Sequence, residues 1–435
     1  MLKKLAGLLR RLNACFLVNM PSARNPRSDP VKPQPPALQS TAFRTEETSS
    51  TVDIEKISLP TGQPAPSVQP VLPTAVATKI DRNALWIDKF LAKKQHQDLQ
   101  NGMPPTFGRL LDLPTELRSQ LHDLSAAKVV PSGLIAALWR ALEANTRKHE
   151  HVWRFVETDG RFDYNDDAIP ESDEASDAVF GRYRDVLLVR NTALLDRVRS
   201  KADDAPHFLH ANRVDLGCGR RLIAGQKPVS GEILGFQQML IEQDVGLIVD
   251  LTRNREEHQT GVYIPGGSAK PDEKLRRPED YQVHVSCSET VKLKELPAIK
   301  QQFHLHDGNL SKQVQRLHFL EWPDHGVIAG DMLICLADKI EALALDRNRA
   351  IFMHCMAGMG RTGTLLSFLA ARTRIGQMLS TGKTALSTEM VLRVAIEVVA
   401  RGRVDRGPSF VQTEGQFSLL ARTLLKDSLR KTSHE

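Results

Sequence analysis

An apolar run, Ala350-Ile351-Phe352-Met353, leads directly into His354-Cys355-Met356-Ala357-Gly358-Met359-Gly360-Arg361-Thr362, and an apolar segment follows at once. The spacing predicts a strand, a glycine-bearing turn and a helix from Thr362 to Gly376. That succession points backbone N–H groups and the positive end of a helix dipole at one spot, which suits an anion. A cysteine there sits in positive potential, where the nucleophilic thiolate is favoured, so Cys355 is the candidate nucleophile. Gly358 and Gly360 let the loop, with Met356, Ala357 and Met359, wrap an oxyanion without a Cβ in the way. Arg361, six residues after the cysteine, closes the cradle with a planar fork matched to two phosphate oxygens. The bland reading of the same residues is an inert buried cysteine in a strand-to-helix turn.

The texture around this loop is that of an α/β domain. Residues 245–251, 281–285, 314–320 and 350–353 read as strands, and 236–243, 332–345, 362–376 and 388–400 as helices. Alternation of this kind predicts a twisted sheet with helices on both faces. Upstream, Leu85, Ile87, Phe90 and Leu91, then Leu134, Ile135, Leu138, Trp139 and Leu142 after a cap at Ser132, predict a helical layer over 81–156. These helices either pack on the following domain or bind a partner. The stretch Glu157–Asp177 holds nine acidic residues and one arginine, the pattern of a solvated loop. The expected domains are thus 1–80, 81–156 and 157–432.

Composition excludes several classes. The chain has 435 residues and a formal charge of +6, but Lys3, Lys4, Arg10, Arg11, Arg24 and Arg27 all precede the first acidic residue, Asp29, and account for the surplus. The remainder is balanced, so a nucleic-acid-gripping surface is not implied. Five widely spaced cysteines without a C-x-x-C pair argue against a disulfide scaffold or a structural zinc site. No run of about 18 apolar residues exists to span a bilayer. Leu2, Leu5, Leu9, Leu12 and Phe16 fall at helical spacing among two basic pairs, as in a targeting or membrane-surface helix or a plain leader. Arg10 and Arg11 interrupt any cleavable signal sequence. Eleven of the 24 prolines lie between Pro21 and Pro73, with almost no aromatic residue, so a disordered extension is expected over 1–80. Pro30-x-x-Pro33 and Pro33-x-x-Pro36 fit an SH3-like groove or a simple linker.

At His354-Cys355, five residues, then Arg361-Thr362, the chain resembles the cysteine-dependent protein tyrosine phosphatase family. Glu321-Trp322-Pro323-Asp324-His325-Gly326 is similar to the loop that carries the family's general acid, which implies that role for Asp324. Arg182-Tyr183-Arg184-Asp185-Val186 resembles the phosphotyrosine-recognition loop, implying that Tyr183 flanks the substrate ring and Asp185 accepts from the peptide backbone. Phe410-Val411-Gln412-Thr413-Glu414-Gly415-Gln416 resembles the loop that holds the second-step water, implying that role for Gln412 and Gln416. Glu256 falls where the family pairs a carboxylate with the signature arginine. Arg221–Pro228 and Glu242–Thr252 match core strands. The resemblance runs from Phe180 to Leu425. Gly181 replaces an asparagine of the family, and its lysine after the glutamate has no counterpart.

The resemblance implies a tyrosine phosphatase-like mixed sheet and a two-step reaction through a cysteinyl phosphate, with no metal or cofactor. Thr362 would hydrogen-bond the departing thiolate, and His354 would orient the cysteine. Met356 and Met359 add no charge for extra phosphates, so phosphotyrosine-containing proteins are the expected partners. A dual-specificity or phosphoinositide phosphatase and a silent phosphotyrosine-binding module are the alternatives. The layout, an extension followed by a C-terminal catalytic domain, is similar to type III-secreted bacterial effectors. It implies action in a host cytoplasm and a secretion chaperone on the extension. A cytoplasmic enzyme is the alternative.

Overall fold

The computed structural model describes residues 107–432, apart from 126–129, 132, 157–180, 184, 201–205, 254, 257–262, 264–282, 309 and 381–386. The expectations for the leader, the proline-rich extension, the segment around Leu85–Leu91, the cap at Ser132 and the acidic stretch Glu157–Asp177 lie outside the described residues. What is described falls in one compact unit, Thr74–Glu435.

Eight strands form one sheet: β1 Ala193–Leu195, β2 Phe208–Val214, β3 Leu222–Gly225, β4 Val245–Asp250, β5 Val283–Lys292, β6 Ala298–Asp307, β7 Leu310–Phe319 and β8 Ala350–His354. Their order is β1-β2-β3-β8-β4-β7-β6-β5. The central four, β3, β8, β4 and β7, run parallel, and antiparallel strands extend the sheet on both sides. The sheet is therefore mixed, as expected. The strand predicted at 281–285 is longer, β6 and β2 carry too many polar residues to stand out in the sequence, and β1, Ala-Leu-Leu, is too short. β6, for example, reads Ala-Ile-Lys-Gln-Gln-Phe-His-Leu-His-Asp.

Helices cover both faces. Among the described residues, those of eight or more residues are α1 Thr115–His122, α2 Leu134–Lys148, α3 Ile233–Glu242, α4 Gly330–Leu343, α5 Gly360–Ser380, α6 Thr388–Arg406 and α7 Glu414–Thr432. Strand periodicity divides β8 between two cores. Ile351 and Met353 join the core beneath α2 and α4 to α7, whereas Ala350 and Phe352 join that beneath α3. The expected helix around 134–142 continues to Lys148, with Gly133 at the N-cap position.

The upstream helices pack on the sheet domain. Leu134, Leu138 and Leu142 share the larger core with Phe417 and Leu420 of α7. Trp139 stacks at a tilt on Phe417, its centroid 5.7 Å away, and lies under the Arg403 guanidinium at 4.8 Å. Arg403 is fully buried; it donates to Thr146 Oγ1 at 2.7 Å and pairs with Glu143. Trp153 Nε1 donates to the Arg403 carbonyl at 2.8 Å. A buried charge needs such partners, so these contacts tie the helical layer to α6 by more than apolar area.

Candidate active site

The site lies where the parallel strands end, the usual position for ligands in open α/β sheets. Cys355 follows β8, Glu256 follows β4, Gln226 and Lys227 follow β3, and the Asp324 loop follows β7. β8 is buried along its length because it is central, and so it delivers a buried Cys355, 3% exposed, to the start of α5. The loop turns through Gly358 at φ +72°, where a Cβ would lie 1.9 Å from the Gly225 carbonyl oxygen. Only glycine fits both the dihedral and the close approach. The turn brings the Gly358 N–H to the Cys355 sulfur, N to Sγ 3.3 Å. Lys227 N donates to the Met356 carbonyl at 3.0 Å, which pins the loop's first residues to the end of β3.

Arg361 is 1% exposed and heavily tied. Its Nη1 donates to Glu256 Oε2 at 2.8 Å, the Leu251 carbonyl at 3.1 Å and the Trp322 carbonyl at 3.2 Å, and Nη2 donates to Asp324 Oδ1 at 3.0 Å. Burial alone would weaken the guanidinium's hold on its proton, but Cys355, Glu256 and Asp324 nearby raise it above the ordinary arginine range. Its Nε is buried with no hydrogen-bond partner among the described residues. A tetrahedral oxyanion beside the sulfur would satisfy a donor of this kind.

The acid loop is anchored by Trp322, fully buried, whose Nε1 donates to the Gly326 carbonyl at 3.2 Å. Asp324 stands at its rim with the side chain 47% exposed, and His325 Nε2 lies 3.7 Å from Oδ2. Gln416 bridges two loops: Oε1 accepts from the Gln412 amide at 2.9 Å, and Nε2 donates to the Gly326 carbonyl at 3.5 Å. A Cβ on Gly360 would lie 2.8 Å from Gln412 Oε1 and 2.9 Å from Gln416 Nε2, so both amides rest against the cysteine loop. Val411, β-branched and fully buried, has φ +59°, a strained conformation at the residue just before Gln412.

Cys355, Arg361, Glu256, Asp324, Gln412 and Gln416 are therefore brought together, and the remaining expected residues differ in detail. Tyr183 is half-buried; burial, then the charge of Asp324, raises its hydroxyl above the usual tyrosine range, with smaller effects from Cys355 and Glu256 that place it in the field of the site. Asp185 is exposed nearby, and Arg184 lies outside the described residues. Thr362 is fully buried, but its hydroxyl has no partner among the described residues, and the sulfur faces the Gly358 amide instead. His354 Nδ1 lies 3.2 Å from the Cys355 carbonyl.

Three residues escaped the sequence reading. Arg406, fully buried, donates to the Ala357 carbonyl at 3.1 Å and the Gly358 carbonyl at 3.4 Å, holding the loop from behind. Burial pulls it down to about 10, so it stays charged at neutral pH. Tyr263, one of four tyrosines, places its hydroxyl 2.6 Å from His354 Nε2. Asp250 Oδ2 lies 3.3 Å from the Tyr263 hydroxyl and 3.5 Å from His354 Nε2. The Arg403-x-x-Arg406 spacing on one helix face was the only available signal.

The sequence pattern described as protein-tyrosine phosphatase matches residues 180–426, more than half of the chain. This chain belongs to the protein-tyrosine phosphatase family. Among relatives, the mouse tyrosine-protein phosphatase non-receptor type 7 is 28% identical over 250 residues, covering 56% of this chain and 62% of that protein. Tyrosine-protein phosphatase 3 of Schizosaccharomyces pombe is 28% identical over 210 residues, 46% of this chain and 67% of its own. The chain thus spans just under two thirds of the mouse relative's length. Among solved structures, PTPN18 in complex with HER2-pY1196 phosphor-peptides superposes with a TM-score of 0.54 at 21% identity, covering 71% of this chain and 98% of that one. That likeness shows the fold.

Proposed function

We propose that this phosphatase-family member hydrolyses phosphotyrosine in proteins through a cysteinyl-phosphate intermediate. The observation that carries the reading is the convergence of Cys355 Sγ, a glycine amide on that sulfur, and Arg361 joined to both Glu256 and Asp324. In the first step the Cys355 thiolate forms a bond to phosphorus as the phosphorus–phenol oxygen bond breaks. Loop amides and Arg361 stabilise the charge on the equatorial oxygens. Asp324 gives its proton to the leaving phenolate, which supplies roughly a hundred- to ten-thousand-fold in rate. In the second step Asp324, now a carboxylate, takes a proton from a water held by Gln412 and Gln416, and that water displaces the sulfur to release phosphate.

Tyr183 at the rim deepens the pocket, and Met356 and Met359 bring no extra cation for a polyphosphorylated headgroup. Both favour phosphotyrosine over phosphoserine or a phosphoinositide. PTPN18, which shares the fold, is seen with phosphotyrosine peptides of HER2. Turnover of an aryl phosphate that disappears in Cys355→Ser is the expected result; a wild-type chain without turnover would leave a phosphotyrosine-binding module. Equal rates on phosphotyrosine and phosphoserine peptides would replace the tyrosine-specific reading with a dual-specificity one.

The order of segments, a basic amphipathic stretch and proline-rich residues up to 80 ahead of the catalytic part, supports a further reading. Under it the chain is a type III-secreted effector that acts in a host cytoplasm, with a chaperone on the extension. Residues 1–80 fused to a reporter should then be exported through such a system, and retention of the fusion would favour a cytoplasmic enzyme.

A further inference from the structure

β4 ends in a fully buried carboxylate, Asp250. The titratable and charged groups facing it come from every neighbouring element: Arg316 and His318 of β7, His354 of β8, and Tyr263 beyond the end of β4. Arg316 donates to Oδ2 from Nε at 3.2 Å and from Nη2, and its Nη1 reaches Gln301 of β6 at 2.8 Å. Thr252 donates to Oδ1 from its amide at 2.9 Å and its hydroxyl at 2.7 Å. The Tyr263 hydroxyl lies 3.3 Å from Oδ2, His354 Nε2 3.5 Å from Oδ2, and His318 Nε2 3.9 Å from Oδ1. Burial alone would raise the Asp250 carboxyl; His354, His318 and Arg316 hold it well below the usual range, so it is ionised.

A buried ion pair contributes little net stability over an apolar pair of like volume. Its position gives it another use. One residue on, Leu251 donates to the His354 carbonyl at 2.9 Å and accepts from Arg361 Nη1 at 3.1 Å. The Asp250 side chain folds back onto Thr252 and so shapes the turn that aims the Leu251 carbonyl. On its other flank, Tyr263 reaches His354, which reaches the Cys355 carbonyl. Burial pushes His354 down to about 4, despite Asp250, so the ring is neutral near pH 7. With one proton, Nδ1–H donates to the Cys355 carbonyl and Nε2 accepts from Tyr263.

We infer that Asp250 is a positioning residue for the cysteine loop, bracing through Thr252 the turn from which Leu251 donates to the His354 carbonyl and accepts from Arg361. The inference rests on the phosphatase reading above. Its test is the pair variant Asp250→Asn/Arg316→Gln, which removes both charges together and leaves no buried ion uncompensated. Melting temperature, kcat and KM on an aryl phosphate, and orthovanadate affinity by calorimetry are read on the full chain. The expected result is a melting temperature near wild type with kcat/KM down roughly ten- to a hundred-fold and vanadate weakened to a similar degree, as for a small misplacement of catalytic groups. Activity and vanadate affinity within about twofold of wild type, or losses that merely track the unfolded fraction, overturn it. Where the pair variant does not fold, Thr252→Val, which removes the hydroxyl donor to Asp250, decides: lower kcat/KM and weaker vanadate binding at unchanged melting temperature support the inference, and unchanged values end it. A wild-type chain without turnover sinks the phosphatase reading itself, whereas an active wild type with an equally active pair variant sinks only the role of Asp250.

Discussion

Two carboxylates share the Arg361 guanidinium and differ in their surroundings. Glu256 accepts from Nη1 at 2.8 Å with its side chain 10% exposed, and Asp324 accepts from Nη2 at 3.0 Å with its side chain 47% exposed. At nearly equal distance, attraction is much weaker in the wetter setting. Glu256 thus belongs to a cradle built once and kept, together with Cys355, His354 and Arg406. Asp324 stands on an arm, a more exposed loop, so its contact with Arg361 is the weaker of the two and would be the one to open if a substrate displaced it. The glycines follow the same division. A Cβ at Gly358 meets the backbone of β3 at 1.9 Å, whereas at Gly326 it meets the Pro323 side chain at 2.9 Å.

The largest effect is expected for Gly358→Ala in the cradle. With φ +72° and no room for a methyl, the loop loses its shape, and turnover of an aryl phosphate should fall about a thousandfold or more. Turnover near wild type would show that the cradle is not rigid. Asp324→Asn, in the arm, should lower kcat by about a hundred- to ten-thousand-fold while shifting the melting temperature by no more than about 2 °C. A large thermal shift would erase the distinction between arm and cradle. Glu256→Gln leaves Arg361 short of a buried counter-charge and should cost about 3 kcal/mol in urea unfolding. A cost below about 0.5 kcal/mol would place Glu256 with exposed pairs.

The smallest effect concerns what stands behind Arg406. Its Nη2 lies 3.0 Å from His210 Nδ1, and burial, then the Arg406 charge, pushes His210 down to about 3. The unfolded chain therefore binds a proton that the folded chain refuses. That contribution to stability is complete above pH 6.5 and is lost as pH falls toward 3, at about 1.4 kcal/mol per pH unit. His210→Gln keeps a donor for the Val186 carbonyl and an acceptor for Arg406 but cannot titrate. Urea midpoints at pH 7, 6 and 5 should fall less steeply in the variant, and parallel slopes would refute the assignment.

What was legible in the sequence follows contiguity. Residues 354–362 announced themselves because a strand, a turn and a helix in direct succession build their own anion site from local backbone geometry. The acid loop, the glutamine loop and Glu256 were legible through resemblance. Tyr263, Arg406 and Asp250 were not. Each is an ordinary residue within its own segment, and each acts only across strands or from a helix packed behind the loop. The polar β6 was missed for a related reason, since an antiparallel extension needs only one apolar residue in two on its covered face, and β1 was missed because three residues show no period.

The sequence by itself determined the reacting group and its cradle, because five loop residues between a cysteine and an arginine leave the backbone few ways to close around an anion. Tertiary structure alone decided which carboxylate is buried against Arg361, which residues brace the loop from behind, and that α1 and α2 share the core beneath α6 and α7. Those outcomes depend on burial, and burial is set by how distant segments pack rather than by any run of neighbouring residues.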